Sequence, residues 1–187
     1  MTLSKAILTR QSLLTQALMV LGGSLFVGLS AQISVPMLPV PMTLQTLAIS
    51  IVGLTFGSRL AAATLVAYLL EGAMGLPVFA GGAAGMAKLM GPTAGFLWGF
   101  VAMAWLTGFM VERGLDRGLV KLFIAALVPA LALFVPGVLA LQAVTGMEIS
   151  AAVAAGMTPF IIGALVKAAL AAVAVTGGWA ALKARKG

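Results

Sequence analysis

The chain contains no cysteine and no histidine, and its acidic residues number four. Those absences exclude disulfides, thiolate and imidazole metal sites, cysteine nucleophiles and any Ser-His-Asp relay. With Glu71, Glu112, Asp116 and Glu148 as the only acids, there is little material for a carboxylate metal cluster or an acid/base pair. No GxxxxGK[ST] phosphate loop occurs, so the chain does not hydrolyse ATP by that device. Nothing here points to catalysis or to a bound cofactor.

Charge is scarce as well. Only 8% of the 187 residues are charged, against 62% hydrophobic, and mean hydropathy is +1.18. A soluble domain carries about 25% charged residues, so this composition belongs in lipid. The net charge of +7 does not indicate nucleic acid. Its lysines and arginines form no stripe interleaved with aromatics, and they sit at the ends of apolar runs, where membrane topology places them.

Crossing about 30 Å of hydrocarbon takes roughly 20 helical residues. Six apolar stretches, over about 11–30, 43–57, 60–75, 93–111, 120–143 and 158–182, are separated by Pro/Gly clusters or charges. The first follows Lys5 and Arg10 and is too long for a signal-peptide core, so it reads as a retained membrane helix. Placing the amino terminus inside puts Lys5, Arg10, Arg59, Arg113, Arg117, Lys121, Lys183, Arg185 and Lys186 on the cytoplasmic side. Lys88 then lies opposite, and Lys167 within the last span. That asymmetry fits the positive-inside rule with six helices and both termini cytoplasmic. The chain reads as one all-α transmembrane domain over 1–187.

In this orientation the cytoplasmic turns are short and basic, whereas the outward connections are irregular. Irregular backbone at a membrane is tolerated where protein buries it or water reaches it, and long loops on one face tend to hold binding residues. Three segments draw attention. In LPVPMTLQT, 38–46, the prolines impose an extended chain, Thr43 can cap the following helix, and Gln45 offers an amide to a polar ligand. The glycine-rich run 75–100 lacks the strand-loop-helix setting of a phosphate site. Its backbone around Gly81 and Gly82, beside Phe79 and Phe96, suits a flat, amide-like ligand. In PFIIGALVKAALAA, 159–172, Lys167 stands inside a span, which marks it for function, with a snorkelling lysine as the alternative. Glu71 is its acidic counterpart, free to pair with Lys167 or Lys88 or to meet headgroup water. Tyr68, three residues earlier, shares its face. Trp98, Trp105 and Trp179 read as interface anchors or packing.

Four segments in order, PVPMTLQTLA (39–48), GSRLAAATLVAYLLEGAMGLPVFAGG (57–82), GPTAGFLWGF (91–100) and PFIIGALVK (159–167), resemble the BioY family. Members of this family are biotin-specific S components of energy-coupling-factor (ECF) transporters. The resemblance implies a six-transmembrane-helix S-component bundle in a prokaryotic cell membrane, surrounded by lipid, with biotin held near the extracellular side. It also implies a transmembrane coupling protein and two cytoplasmic ATPase subunits as partners, although uptake by the S component alone has been claimed within the family. The expected biotin site comprises Thr43, Gln45, Tyr68, Glu71, Phe79, Gly81, Gly82, Lys88, Ala164 and Lys167. At Ala164 the family usually has an aspartate, three residues before the lysine and on its face; this chain keeps the lysine and lacks the acid. Small residues Ala17, Ser24 and Gly28 of the first helix, with Gly22, permit close helix contact and are expected to face the coupling protein. An S component for another vitamin, or a stand-alone biotin transporter, is the alternative.

Overall fold

A computed structural model describes residues 2–7 and 12–186; Arg10, counted above on the cytoplasmic side, lies outside them. After a short helix α1 (Leu3–Ile7), Ser12 caps α2 (Leu13–Gln32) by accepting the Thr15 N–H at 3.2 Å. The prolines at 36, 39 and 41 forbid continuation. The chain instead forms a strap, closed by antiparallel pairing of β1 (Ser34–Val35) with β2 (Met42–Thr43) and containing a cis Leu38–Pro39 peptide.

Next come α3 (Gln45–Phe56) and α4 (Ser58–Ala73), separated only by Gly57 at φ +85°. The glycine loop 74–93 contains 3-10 turns at Ala80–Gly82 and Met86–Met90. Beyond it, α5 (Ala94–Glu112) runs through the middle of the bundle and buries Phe96, Leu97, Phe100, Met103 and Ala104. A Cβ on Gly108 of α5 would collide with the Gly57–Ser58 backbone, so α5 crosses hard against the α3–α4 turn. Glu112 completes that joint: its carboxylate accepts the Ser58 N–H at 3.1 Å and the Ser58 hydroxyl at 2.7 Å. It therefore caps α4 from another helix.

The expected fifth helix is two: α6 (Leu119–Ala132) and α7 (Phe134–Thr145). Pro136 has no N–H to give the Ala132 carbonyl, and the helix is interrupted at Leu133. The connection between the expected spans 120–143 and 158–182 contains a helix, α8 (Ile149–Gly156). A 3-10 turn at Thr158–Phe160 leads into α9 (Ile161–Lys186). Buried Ala168, Ala171, Ala172 and Val175 give α9 a small-residue stripe against Leu122, Ala125 and Ala126 of α6.

Among the described residues, four helical stretches are long and apolar enough to cross a membrane: Leu13–Gln32, Ala94–Glu112, Leu119–Thr145 and Ile149–Arg185. Helices α3 and α4, of 12 and 16 residues, are shorter. Outward-facing leucines at 14, 18, 21, 25 and 29 leave α2 with an apolar face exposed among the described residues. Connectivity gathers the strap, the glycine loop and the α7–α9 connection at one end. Lys5, Arg59, Arg113, Arg117 and Lys183 collect at the other.

Candidate ligand-binding cavity

At the loop end a cavity of about 360 Å³ opens between the strap, the glycine loop and helices α5, α6, α7 and α9. Its volume falls at the small end of the range for small-molecule sites. Phe96, Leu97 and Phe100 enter from α5, Ala130 from α6, Leu133 from the break and Phe134 from α7; Phe160 and Ala164 close the wall near α9. The strap contributes residues from Ser34 to Gln45 on the other side, and Phe79 and Gly81 come from the glycine loop. The walls are largely hydrocarbon. Polar groups are few: Ser34, Thr43, Gln45, Thr46, Thr93, Lys88 and Lys167.

Lys167 projects from α9 toward the strap, where its Nζ donates to the Thr43 carbonyl at 2.9 Å. Among the described residues no carboxylate forms an ion pair with it. Two of its three ammonium donors therefore stay available to a ligand. Gln45 is 4% exposed at the first turn of α3. Its carbonyl oxygen accepts the Thr43 hydroxyl at 2.9 Å, and its amide nitrogen donates to the Tyr68 hydroxyl at 2.7 Å. One amide N–H remains for a ligand. The Thr43 hydroxyl also accepts the Gln45 N–H at 3.2 Å, next to rather than at the cap position, which Leu44 occupies.

Tyr68 lies behind the cavity. It is fully buried, donates to the Val78 carbonyl at 3.0 Å and meets the Phe79 ring edge-on, centroids 5.5 Å apart. It thus connects Gln45 to the glycine loop from beneath. The Phe79 ring lies where a Cβ on Gly72 would have to go, so a glycine at that point of α4 lets the aromatic wall seat.

Thr43, Gln45, Phe79, Gly81, Lys88, Ala164 and Lys167 of the sequence-predicted set are brought together around the cavity. Tyr68, Glu71 and Gly82 are not on its surface. Glu71 pairs with neither lysine: its Oε1 accepts the Ser24 hydroxyl at 2.7 Å, joining α4 to α2. Of the alternatives weighed from the sequence, neither lysine pairing forms among the described residues, because the carboxylate is engaged with α2. Ser24 and Gly28 are accordingly buried inside the chain, Gly28 under Val78, while Ala17 is exposed. Of the stripe expected to face a coupling protein, Ser24 and Gly28 thus pack inside the chain, on Glu71 of α4 and Val78 of the glycine loop, while Ala17 and Gly22 stay exposed on the outer side of α2. Trp98 donates its indole N–H to the Leu89 carbonyl at 3.1 Å, so it packs the glycine loop while half-exposed.

Sequence reading missed Phe100, Leu133, Phe134 and Phe160 as wall residues. Phe96 and Phe100 share a helical face by their i, i+4 spacing, but only the fold reveals that this face meets the strap.

The pattern of the BioY family matches residues 3–184. The chain belongs to the BioY family. Relatives include the "Biotin transporter BioY" of Rhizobium etli, 38% identical over 57% of this chain and 60% of that protein. The "Probable biotin transporter BioY" of Pyrococcus horikoshii is 36% identical over 60% and 67% respectively. The relative from Thermotoga maritima is 41% identical over 44% of this chain and 49% of its own length. The matched stretches thus span about half to two thirds of these relatives. In fold, the chain is similar to the crystal structure of an S component for biotin from an ECF-type ABC transporter. That likeness has a TM-score of 0.78 at 22% identity and covers 93% of this chain and 92% of the other. BioY proteins are multi-pass membrane proteins of prokaryotes and not enzymes, and the four membrane-length helices place this chain among them.

Proposed function

We propose that the protein captures biotin from the extracellular side in the loop-lined cavity and delivers it inward as the substrate-binding subunit of an ECF-type uptake system. The observation that carries this reading is the cavity itself. The strap, glycine loop and α9 segments that bear the family pattern converge on one 360 Å³ space with apolar walls and a few placed polar groups. In this reading the valeryl chain lies along Phe79, Phe96 and Phe100. Lys167 and Gln45 donate to a ligand oxygen, ureido or carboxylate.

The whole chain acts as one six-helix transmembrane domain with both termini in the cytoplasm. Helices α3 and α4 are about 18 and 24 Å long at 1.5 Å per residue, short of the hydrocarbon thickness. The strap and glycine loop lie over their outer ends, which suits irregular backbone that protein must bury. The basic residues at the opposite end support the orientation. A membrane coupling protein and two ATPase subunits are the partners, in the cell membrane of a prokaryote. Another small vitamin, or uptake without the ATPases, is the rival.

Purified protein should retain biotin through chromatography and bind it in titration more tightly than a panel of other vitamins. Lys167→Met should weaken binding tenfold or more. Tighter binding of another vitamin would redirect the assignment, and an unaltered Lys167→Met affinity would remove the lysine from the site.

A further inference from the structure

Gln32 is the last residue of α2 and does not line the cavity, yet its side chain reaches across to the glycine loop. Its carbonyl oxygen accepts the Gly82 N–H at 2.8 Å. Its amide nitrogen donates to the Phe79 carbonyl at 3.1 Å and to the Gly28 carbonyl of its own helix at 3.1 Å, with the Pro77 carbonyl at 3.5 Å. Only the oxygen can accept from Gly82 and only the nitrogen can donate to Phe79, so these contacts fix the amide's orientation.

The segment it grips is a small turn. The Phe79 N–H donates to the Ala83 carbonyl at 3.0 Å and the Gly82 N–H also approaches the Phe79 carbonyl at 3.1 Å. Gly81 and Gly82 stand at φ +69° and +70°. A Cβ at either would meet nothing within 4 Å, so the glycines serve the left-handed backbone rather than space. Without tertiary ties such a turn is pliable; besides the packing of the Phe79 ring on Gly72 and Tyr68, two side chains tie it by hydrogen bonds. Tyr68 grips Val78 from below, fully buried; Gln32 grips Phe79 and Gly82 from outside, exposed to solvent. Gln32 also leads directly into the strap, whose Thr43 carbonyl receives Lys167.

We infer that Gln32 is a positioning residue for ligand retention, a latch that fastens the glycine-loop wall of the cavity to α2. Because it is the exposed one of the two ties, it is the one that breaks when the cavity opens. Opening then frees Phe79–Ala83 from α2 while the buried Tyr68 contact holds the base of the loop. This rests on the biotin reading for its ligand but not for its geometry.

The test uses the full chain in detergent with two readouts, for wild type, Gln32→Leu and Gln32→Glu. Hydrogen exchange of amides 79–83 without ligand reports the latch directly. Dissociation of prebound biotin, chased with excess unlabelled biotin, reports retention. Gln32→Leu should speed both by about five- to tenfold, the effect of losing one or two exposed hydrogen bonds, with association not slowed. Gln32→Glu keeps the acceptor for Gly82 and loses the donors, so it should fall between. Unchanged exchange at 79–83 overturns the latch whatever the ligand. Faster exchange with unchanged biotin dissociation overturns its role in retention. Should wild type not bind biotin, the proposed function falls, and the exchange measurement still decides whether Gln32 holds the loop.

Discussion

Replacing Ala164 by aspartate tests the site at its most unusual point. Ala164 is 7% exposed, lines the cavity and sits one helical turn before Lys167 on the same face of α9. Its methyl leaves the lysine with a backbone carbonyl, rather than a carboxylate, as its protein partner. A carboxylate there would accept a ureido N–H from bound biotin, a charged hydrogen bond of about 1.5–3 kcal/mol. It would also draw Lys167 from the Thr43 carbonyl, at a loss of about 1 kcal/mol. The net gain is about 0.5–2 kcal/mol, or roughly two- to thirtyfold tighter binding. Titration calorimetry of Ala164→Asp and Ala164→Asn against wild type separates the parts, because the asparagine supplies an acceptor without charge and should gain less. Weaker or unchanged binding in Ala164→Asp would refute the placement of the ureido ring at this turn of α9. Equal gains from both variants would refute the role given to charge.

Three further outcomes follow from the packing. Tyr68→Phe deletes a buried hydroxyl that serves both Gln45 and Val78, which should cost about 2 kcal/mol and lower the melting temperature by about 4–8 °C; an unshifted melt would mean water replaces the hydroxyl. Gly72→Ala drives a Cβ into the Phe79 ring, so at an overpacking cost of about 1–3 kcal/mol the aromatic wall should move and biotin affinity fall at least tenfold with helical circular dichroism retained. On α2, Gly22→Leu lies where a Cβ meets nothing and should impair uptake in cells while sparing binding; Gly28→Leu, under Val78, should impair both, and equal effects of the two on binding would undo the division of α2 into inner and outer faces.

Much of the bundle was legible because its signals are local. Apolar length, the Gly57-Ser58-Arg59 punctuation and the prolines after α2 mark the helices within a few residues. The α6–α7 break was missed although Pro136 announces it, since one long apolar run outweighs a single residue when hydropathy is averaged. The segments lining the cavity were legible through Thr43, Gln45, Phe79 and Lys167, polar or aromatic residues in unusual settings. What stayed hidden is what depends on rotation about helix axes. Glu71 and Lys167 are both charged residues in apolar helices, but α4 turns its acid to Ser24 and α9 turns its lysine to the strap. Gln32 gave no signal at all: a glutamine at a helix end looks like any solvated residue until the loop from 45–50 positions later arrives against it.

The two ends of the bundle are held together by different means, and the difference bears on where it can open. At the basic end, α5 presses on the α3–α4 turn so closely that Gly108 admits no side chain, and Glu112 locks Ser58 with two hydrogen bonds. Shifting that joint would disrupt close backbone packing and a part-buried carboxylate cap together. At the loop end the elements are joined by scattered individual bonds: Lys167 to Thr43, Gln45 to Tyr68, Trp98 to Leu89, the Gly85 N–H to the Gly72 carbonyl, and Gln32 to Phe79 and Gly82. Each such bond contributes only about 1 kcal/mol net, and a ligand carbonyl or carboxylate can exchange with several of them. Opening therefore belongs to the loop end, with the Glu112 joint as its fixed base. A single bundle that yields at one end cannot by itself expose its site alternately to both sides of a membrane. Under the proposed function, release on the opposite side would then need the bundle to move as a whole, which is the task the proposal gives to a membrane partner.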